Sequence, residues 1–344
     1  MIEIDGAHGE GGGQLVRTAV AVSAVRCVPV RIINIRARRR KPGLAAQHVA
    51  AVRAVAALCD AQCEGVEAGS QSLSFVPRRL RGGEFRVDVG TAGSITLVLQ
   101  AMLPAAVATR EPVSVTIRGG TDVRAAPPLD YLRLVLLPLL AHAGIDCEID
   151  VLRRGYYPKG GGEVQLRIAP AARVQPLAVE ALGAIERIEI HAHVALLPLQ
   201  IAQRMAAAAR ALLPADVDVT QHLELCPADV AASPGGAIVL RAVCARGVLG
   251  AGEVAQRGVR AEQLGESAGK SLRRDIDAHA TLDVHALDQM LAFLALADGA
   301  SVLHAAHVSS HAATAMWLLE RLALARFTTL PGDTGVVVHV LPAS

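Results

Sequence analysis

A glycine-rich stretch near the amino end, HGEGGGQ from His8 to Gln14, combines four glycines with one carboxylate, Glu10. Glycine-rich turns that open a helix present free backbone N–H groups and a helix dipole, and both favour an anion such as phosphate. A carboxylate is compatible with phosphate if a divalent cation bridges the two, or if the carboxylate binds a sugar hydroxyl. The Walker and Rossmann glycine spacings are absent. A simple tight turn stays open as the alternative, since glycine is the default residue where φ is positive.

A basic run follows at RARRRKPG, Arg36 to Gly43, with five cations in six positions. The planar fork of arginine suits phosphate, so a nucleic-acid backbone or a terminal phosphate is a natural ligand. A solvated charged turn is the alternative interpretation. Aromatic residues make up only 2% of the chain. We therefore expect no stacking platform beside this run and no broad reading of single-stranded sequence.

Three histidines lie in HAAHVSSHAAT near the carboxyl end. Spacings of three and four residues suit a metal site on one helix face. Ser309 and Ser310, however, are typical helix caps. They leave only His311 at a helix start, with His304 on the preceding strand and His307 in the loop. A histidine at a helix start tends to stay neutral, because the positive end of the dipole disfavours imidazolium, and a nucleophile must be neutral.

The elements that must position these residues form an internal repeat of the order β-α-β-α-β-β. The first copy is predicted at residues 2–4, 13–25, 28–35, 45–58, 62–66 and 73–76. The second copy covers 84–89, a helix that begins in GTAGSITLVLQ, 113–117, 129–143, 147–151 and 163–168. Most of a third copy is predicted at 282–297, 301–303, 312–324, near 327, and at 336–341.

These elements predict an α/β (α+β) fold in which three βαβαββ repeats form a large domain. That domain covers residues 1–179 and 279–344, and a smaller α/β domain, residues 180–278, is inserted before the last repeat. Right-handed βαβ crossovers keep the helices of each repeat on one sheet face. We therefore expect the glycine turns that open the helices to converge on a shared cleft, where ligands bind in α/β proteins.

Composition narrows the functional classes. The chain has 344 residues, 52% of them hydrophobic, and a net charge of +2, so a globally basic nucleic-acid coat is excluded and any anion site is local. No apolar signal core or membrane-length segment is evident, so we expect no membrane association. Six scattered cysteines predict buried free thiols in a cytoplasmic protein. The oligomeric state is open, with a homodimer as one option.

Seven motifs, taken together and in order, carry a resemblance to a known family. They are DGAHGEGGGQLVR, IRARRRKPGLAAQH, GTAGSITLVLQ, GGTDVRAAPP, GYYPKGGGEV, HALDQ and SSHAAT. In this combination the chain resembles the RNA 3′-terminal phosphate cyclase family nearly from end to end. The fold that this resemblance implies, three βαβαββ repeats with a smaller inserted α/β domain, is similar to the predicted one.

The resemblance implies a three-step reaction. A histidine attacks the α-phosphorus of ATP, which releases pyrophosphate and leaves AMP on the imidazole. The AMP passes to a 3′-phosphate at an RNA end, and the neighbouring 2′-hydroxyl then attacks that phosphate and expels AMP. The partners implied are ATP, Mg²⁺ or Mn²⁺, and RNA 3′ ends that bear a phosphate.

Carried over residue by residue, the resemblance implies that His311 is the nucleophile that receives AMP. The residues implied to line the ATP pocket are Gln100, Pro127, His285, Asp288 and Gln289. The residues implied to hold pyrophosphate or the RNA terminus are Arg17, Arg36, Arg39, Gln47 and His48. Glu10 is implied to face the ATP phosphates through the metal ion, which would account for a carboxylate in an anion-binding turn.

Two departures and three rival functions accompany this resemblance. The family often has Thr-Asn after the histidine, where this chain has Thr314 and Ala315, and its HLADQ motif is HALDQ here. Both changes concern the shape of the nucleotide pocket. The rivals are a catalytically silent relative that acts as a scaffold in ribosome assembly, an enolpyruvyl-type transferase, and a metallohydrolase built on the carboxyl-terminal histidines. His311, Glu10 and Arg17 argue against the silent scaffold.

Overall fold

The first copy of the repeat forms a four-stranded sheet in the computed structural model, which describes residues 1–178, 181–227, 229–231 and 233–343. Its elements are β1 (Ile2–Asp5), α1 (Gly13–Arg26), β2 (Val30–Ile33), α2 (Ala46–Cys59), β3 (Gln62–Glu64) and β4 (Leu73–Val76). The strand order is β1-β2-β4-β3, with β1 parallel to β2 and the other neighbours antiparallel. The predicted order of elements is confirmed.

The second copy repeats this topology. Its elements are β5 (Gly83–Asp88), α3 (Ile95–Ala108), β6 (Val113–Gly119), a helical run of α4 (Leu129–Tyr131), a π-helical segment (Leu132–Leu136) and α5 (Leu137–His142), then β7 (Cys147–Arg153) and β8 (Gly162–Ile168). The strand order is β5-β6-β8-β7, again with the first pair parallel. Ser94 caps α3, since its hydroxyl accepts a hydrogen bond from the Leu97 N–H.

The segment between the second and third copies has a different topology. Its elements are β9 (Ile185–Ala195), α6 (Gln200–Arg210), β10 (Val219–Cys226), β11 (Gly235–Cys244), β12 (Gly247–Val254) and α7 (Ala261–Asp277). The sheet order is β10-β9-β11-β12, and α6 and α7 bury one face against it around Met205 and Leu272. The separate core supports a division of the chain into two domains, which stays a prediction. The predicted boundary at 179/180 lies outside the described residues.

The third copy contains α8 (Val284–Leu294), β13 (Ser301–Ala305), α9 (Ser310–Arg321), β14 (Ala325–Gly332) and β15 (Gly335–Pro342). Its strand order, β13-β15-β14, matches the last three strands of the other copies. A parallel bridge joins Ala178 to Val302, whose N–H donates to the Leu177 carbonyl at 2.9 Å. Residues just before the insert therefore lie beside β13 as β1 lies beside β2.

The helices of the three copies pack together and share one core. α1 contacts α2, α3 and α9, and α8 contacts α9. Val20, Val52, Leu99, Leu287 and Leu318 are among the fully buried side chains at these contacts. Burial of these apolar faces holds the starts of α1 and α9 close to each other.

Two further expectations concern membrane-length segments and thiols. No helix in the described part of the chain is both long and apolar enough to cross a bilayer. The six cysteines are free; Cys59, Cys226 and Cys244 are buried as expected. Cys27 is exposed, because it is the left-handed residue that ends α1 and leaves the core there.

Candidate active site

His311 lies in the first turn of α9, which Ser309 caps by accepting a hydrogen bond from the Ala312 N–H at 2.9 Å. As predicted, His304 is on a strand and His307 is in the loop. The Nδ1 atom of His311 lies 2.5 Å from Oε1 of Gln14, the second residue of α1. An amide oxygen only accepts hydrogen bonds, so Nδ1 carries the ring proton and Nε2 keeps its lone pair.

The surroundings of His311 favour the neutral ring. Burial lowers the pKa of His311 below its ordinary value of 6.5, and the positive charges of Arg17, His285 and Arg39 lower it further. The imidazole is therefore unprotonated at neutral pH, with its nucleophilic nitrogen available.

A pocket of about 380 Å³ opens beside His311, between α1, α3, α8 and α9. Seven of the predicted site residues line it: Arg17, Gln100, Pro127, His285, Asp288, Gln289 and His311. Gln100 donates to the Gln289 side-chain oxygen at 2.6 Å, and Gln289 donates to the His285 carbonyl at 2.9 Å. This chain of hydrogen bonds fixes the amide groups of α3 and α8 against each other. The size and polarity suit a small ligand.

Arg17 and Asp288 are ionisable groups on the wall of this pocket, which also contains Arg124 and Glu253. Burial lowers the pKa of Arg17 to about 10, and the Asp288 carboxylate opposes that shift. Burial raises the pKa of Asp288 to about 8, with a further rise from Asp283 and an opposing effect from Arg17. Asp288 is therefore largely protonated at neutral pH. Arg17 and Arg124 outnumber the carboxylate of Glu253, so the wall carries a net positive charge that favours an anionic ligand.

Glu10 lies next to His311 rather than on the pocket wall. Its carboxylate is 4.0 Å from His311 Nδ1 and is paired with Arg39, which also donates to the Glu10 carbonyl at 3.1 Å. The Glu10 N–H donates to the Thr314 hydroxyl at 3.2 Å, which ties the turn to α9. A Cβ on Gly12 would overlap the Glu10 carboxylate, so a larger residue there would displace that carboxylate from its present position.

His48 is buried against the start of α1. A Cβ on Gly13 would overlap the His48 ring, whose Nδ1 accepts a hydrogen bond from the Ala45 N–H at 3.0 Å. Burial lowers the pKa of His48 to about 3, together with the charges of Arg17 and Arg36. The neutral ring therefore caps α2 and packs under the glycine turn.

Gln47 and Arg36 bind neighbouring loops. The Gln47 side-chain oxygen accepts from the Ser94 N–H at 3.3 Å, and Arg36 donates to the Gly43 carbonyl at 2.7 Å. Neither side chain is among the residues that line the pocket. A role for them at an RNA terminus stays a prediction.

Several contacts of the site were not predicted from the sequence. Gln14 belongs to the quoted glycine stretch, yet its contact with His311 spans 297 residues of sequence. Glu253 and Gln256, at the end of β12, bring the inserted segment to the pocket wall. Ala315, the departure from the family pattern, is buried beside Gln14 at a small recess next to the pocket. No local pattern signals these contacts.

Asp283 is a buried junction behind the pocket. It caps α8 by accepting from the N–H groups of His285 and Ala286, at 3.1 Å and 2.9 Å. It also accepts from the Tyr131 hydroxyl at 2.7 Å and from the Gly250 N–H at 3.0 Å. One carboxylate thus joins α8, α4 and the inserted strand β12. An aspartate just before the apolar helix in LDVHAL is a typical cap signal that was available in the sequence.

The fold and the site define a class: an α/β protein of repeated βαβαββ units whose helix-starting histidine stands beside a polar, anion-favouring pocket. A sequence model described as RNA 3′-terminal phosphate cyclase matches residues 8–329. A protein of Nitrosospira multiformis named RNA 3′-terminal phosphate cyclase is 52% identical over 327 residues, 95% of this chain and 93% of that protein. A protein of the same name from Methanopyrus kandleri is 44% identical over 93% of each chain.

The chain therefore belongs to the RNA 3′-terminal phosphate cyclase family. This membership decides against the enolpyruvyl-type transferase. The described residues hold no group of three or more histidine, cysteine, aspartate or glutamate side chains that suits a metal ion.

Proposed function

We propose that this protein uses ATP to convert an RNA 3′-terminal phosphate into a 2′,3′-cyclic phosphodiester, through AMP bound covalently to His311. The relatives from Nitrosospira multiformis and Methanopyrus kandleri carry the name of this activity. One observation in the structure carries the proposal: Nδ1 of His311 is held at 2.5 Å from the Gln14 oxygen beside the pocket. That contact supports Nε2 as the attacking atom.

The proposed reaction balances in three steps. Nε2 of His311 attacks the α-phosphorus of ATP, a phosphorus–nitrogen bond forms, and pyrophosphate leaves. An oxygen of the RNA 3′-phosphate then attacks the same phosphorus, which frees the imidazole and yields an RNA–adenylate. The adjacent 2′-hydroxyl loses its proton as it attacks the 3′-phosphorus, and AMP leaves. Adenylylation supplies the leaving group that a phosphate monoester lacks, and the last step is intramolecular, so proximity accelerates it.

The pocket residues have matching roles in this proposal. Charged Arg17 attracts the triphosphate and stabilises the charge that develops as pyrophosphate leaves. Gln100, Gln289, His285 and Pro127 offer amide, ring and backbone groups to the nucleoside. Protonated Asp288 donates a hydrogen bond there instead of repelling the nucleotide. Arg39, on the other side of His311, is free to bind the RNA phosphate when Glu10 takes another partner.

Glu10 fits a divalent cation that arrives with the nucleotide. Mg²⁺ is commonly held by one or two carboxylates together with substrate phosphates and water, and Glu10 supplies one carboxylate 4.0 Å from the His311 ring. In the structure, this carboxylate is paired with the Arg39 guanidinium. The bound metal would neutralise phosphate charge. Either Mg²⁺ or Mn²⁺ is compatible with a single carboxylate and phosphate oxygens.

The test is transfer of label from ATP to the protein. Wild type incubated with ATP labelled at the α-phosphate should gain one acid-labile, base-stable AMP, and intact mass with peptide mapping should locate it on His311. His311→Ala should lose both the label and cyclisation, with an unchanged circular dichroism spectrum because the side chain is half-exposed. Label on that variant would assign the nucleophile to another residue. No label on wild type would favour the scaffold alternative.

A further inference from the structure

A pair of stacked rings lies beside the proposed catalytic centre, and the reaction described above leaves it without a role. The rings of His8 and Trp317 have centroids 3.7 Å apart and planes 15° apart. His8 is exposed and Trp317 is half-buried beneath it. Trp317 is the single tryptophan of the chain. The sequence analysis predicted no stacking platform beside the basic run and did not anticipate this pair, whose members are 309 residues apart in sequence.

The stack is held on two sides by the elements of the active site. Thr314 and Trp317 are three residues apart on α9 and so lie on the same helix face. The glycine turn crosses this face, since the Glu10 N–H donates to the Thr314 hydroxyl at 3.2 Å. His8, two residues before Glu10, is thereby set on the Trp317 ring. The exposed ring is fixed in orientation before any ligand arrives.

The stack is close to the atoms that would react. Trp317 follows His311 by six residues on α9, which is about 9 Å along the helix axis. Glu10, whose carboxylate is 4.0 Å from His311 Nδ1, lies between the two in space through its contact with Thr314. Two cations lie near this path. Arg39 is paired with Glu10, and the guanidinium carbon of Arg321 is 6.0 Å from the Trp317 ring centroid. Arg321 also donates to the Glu3 carbonyl at 3.0 Å, which leaves its other N–H groups for a phosphate.

An exposed, backed aromatic ring with arginines at each side has the features of a site for single-stranded nucleic acid. Unpaired bases are bound by stacking on aromatic side chains, and the backbone phosphates by arginine. A duplex offers no free base face, whereas an RNA 3′ end does. The Trp317 ring behind His8 favours binding, because a histidine without such support would lose conformational entropy when a base stacks on it.

We propose that His8, backed by Trp317, is the stacking site for a nucleobase within two nucleotides of the RNA 3′ end. This rests on the proposed function in that RNA is the substrate. The stacked base holds the terminal phosphate at His311, while Arg39 and Arg321 bind the phosphates on either side. The site contacts base faces and not base edges, so it accepts all four bases.

The experiment uses Trp317 fluorescence in the full-length protein, without ATP, titrated with a ten-nucleotide RNA that ends in a 3′-phosphate. We expect RNA to change the tryptophan emission and His8→Ala to weaken binding by about tenfold. His8→Phe should restore it. The matched control is His279→Ala, which removes an exposed histidine at the end of α7. An abasic nucleotide at one of the last two positions should weaken wild-type binding as much as His8→Ala does.

The outcomes separate this proposal from the proposed function. Equal RNA affinity for wild type and His8→Ala, or no effect of an abasic site at either terminal position, would overturn the stacking site. A parallel titration uses ATP in place of RNA. A change in Trp317 emission with ATP but none with RNA would also overturn the stacking site, since the rings would then hold adenine. Labelling by AMP is scored separately. If wild type is labelled by AMP but its Trp317 emission does not change with RNA, the proposed function is retained and the stacking site is lost. If the emission changes with RNA but the protein is not labelled, the stacking site is retained and the proposed function is lost.

Discussion

Gln14 Oε1 accepts a hydrogen bond from His311 Nδ1 at 2.5 Å, across 297 residues of sequence. Gln14 is the second residue of α1 and His311 lies in the first turn of α9, so the bond joins two helix starts from the first and third repeats. The relationship selects the tautomer in which Nε2 is unprotonated. The nucleophile of the proposed reaction is thus prepared by the packing of α1 on α9.

We predict that Gln14→Leu slows AMP labelling by about tenfold, because one hydrogen bond to the reacting ring is lost and both tautomers become available. Gln14→Glu keeps an acceptor but adds a charge, which should raise the pKa of His311. Rapid-quench measurement of label transfer at saturating ATP checks the rate. The neighbouring change Thr18→Val, one turn further along α1, is the control. If Gln14→Leu transferred label as fast as wild type does, the hydrogen bond from His311 to Gln14 would not be what selects the reactive tautomer.

The second prediction concerns pH. The neutral form of His311 attacks, and its pKa lies below 6.5 through burial and the charges of Arg17, His285 and Arg39. The labelling rate should therefore be flat between about pH 6.5 and the Asp288 pKa of about 8, and it should fall as the pH drops through the lowered pKa of His311. Arg39→Gln removes one of these charges, so its acid limb should move to higher pH. Arg40→Gln, which removes the adjacent exposed cation, should leave the acid limb of the pH profile unchanged. If Arg40→Gln shifted the acid limb as far as Arg39→Gln does, the shift would reflect the net charge of the protein.

A third prediction follows from the ion pair between Glu10 and Arg39. We expect Glu10→Gln to raise the Mg²⁺ concentration needed for half-maximal AMP labelling by about tenfold, because the turn then offers an amide in place of a carboxylate. The measurement is a metal titration of labelling with Mg²⁺ and with Mn²⁺. Glu3→Gln, an exposed acid on β1, serves as the control. Identical titrations for wild type and Glu10→Gln would exclude Glu10 from metal binding.

The sequence predicted most of the fold because each repeat follows local rules. The periodicity, the glycine turns and the serine cap before His311 specify elements one at a time, and the observed bounds differ by a few residues. The seven predicted residues that line the pocket could likewise be identified from the sequence, because they lie within recognisable motifs. Burial of apolar helix faces brings these motifs together, and that step needs only the topology.

The contacts that complete the site could not be predicted in this way. The bond from Gln14 to His311, the His8–Trp317 stack and the approach of Glu253 to the pocket each join residues from different elements of the chain. Their geometry depends on how helices and sheets pack, which local periodicity does not encode. Asp283 is the exception, since its capping position was visible, although its bonds to Tyr131 and Gly250 were not.

The last prediction concerns stability. Burial, with Asp283, raises the pKa of Asp288 from 3.8 to about 8. Between those two values the native protein binds more protons than the unfolded chain, so wild type loses stability as the pH rises from about 4 to about 8. Asp288→Asn keeps the shape of the protonated acid and has no proton to lose. We therefore expect the free energy of unfolding of this variant, relative to that of wild type, to increase as the pH rises, by an amount on the order of a few kcal/mol.

Thermal unfolding of both proteins between about pH 5 and about pH 9 measures this gap. The gap in melting temperature should widen up to about pH 8 and stay constant above it, because Asp288 is then ionised in both states. Asp146→Asn, which neutralises an exposed aspartate before β7, should show no such trend. A gap for Asp288→Asn that is the same at every pH would mean that Asp288 is already charged in the native pocket. The two arginines of the pocket wall, Arg17 and Arg124, would in that case be balanced by Asp288 and Glu253, and the wall would no longer favour the triphosphate.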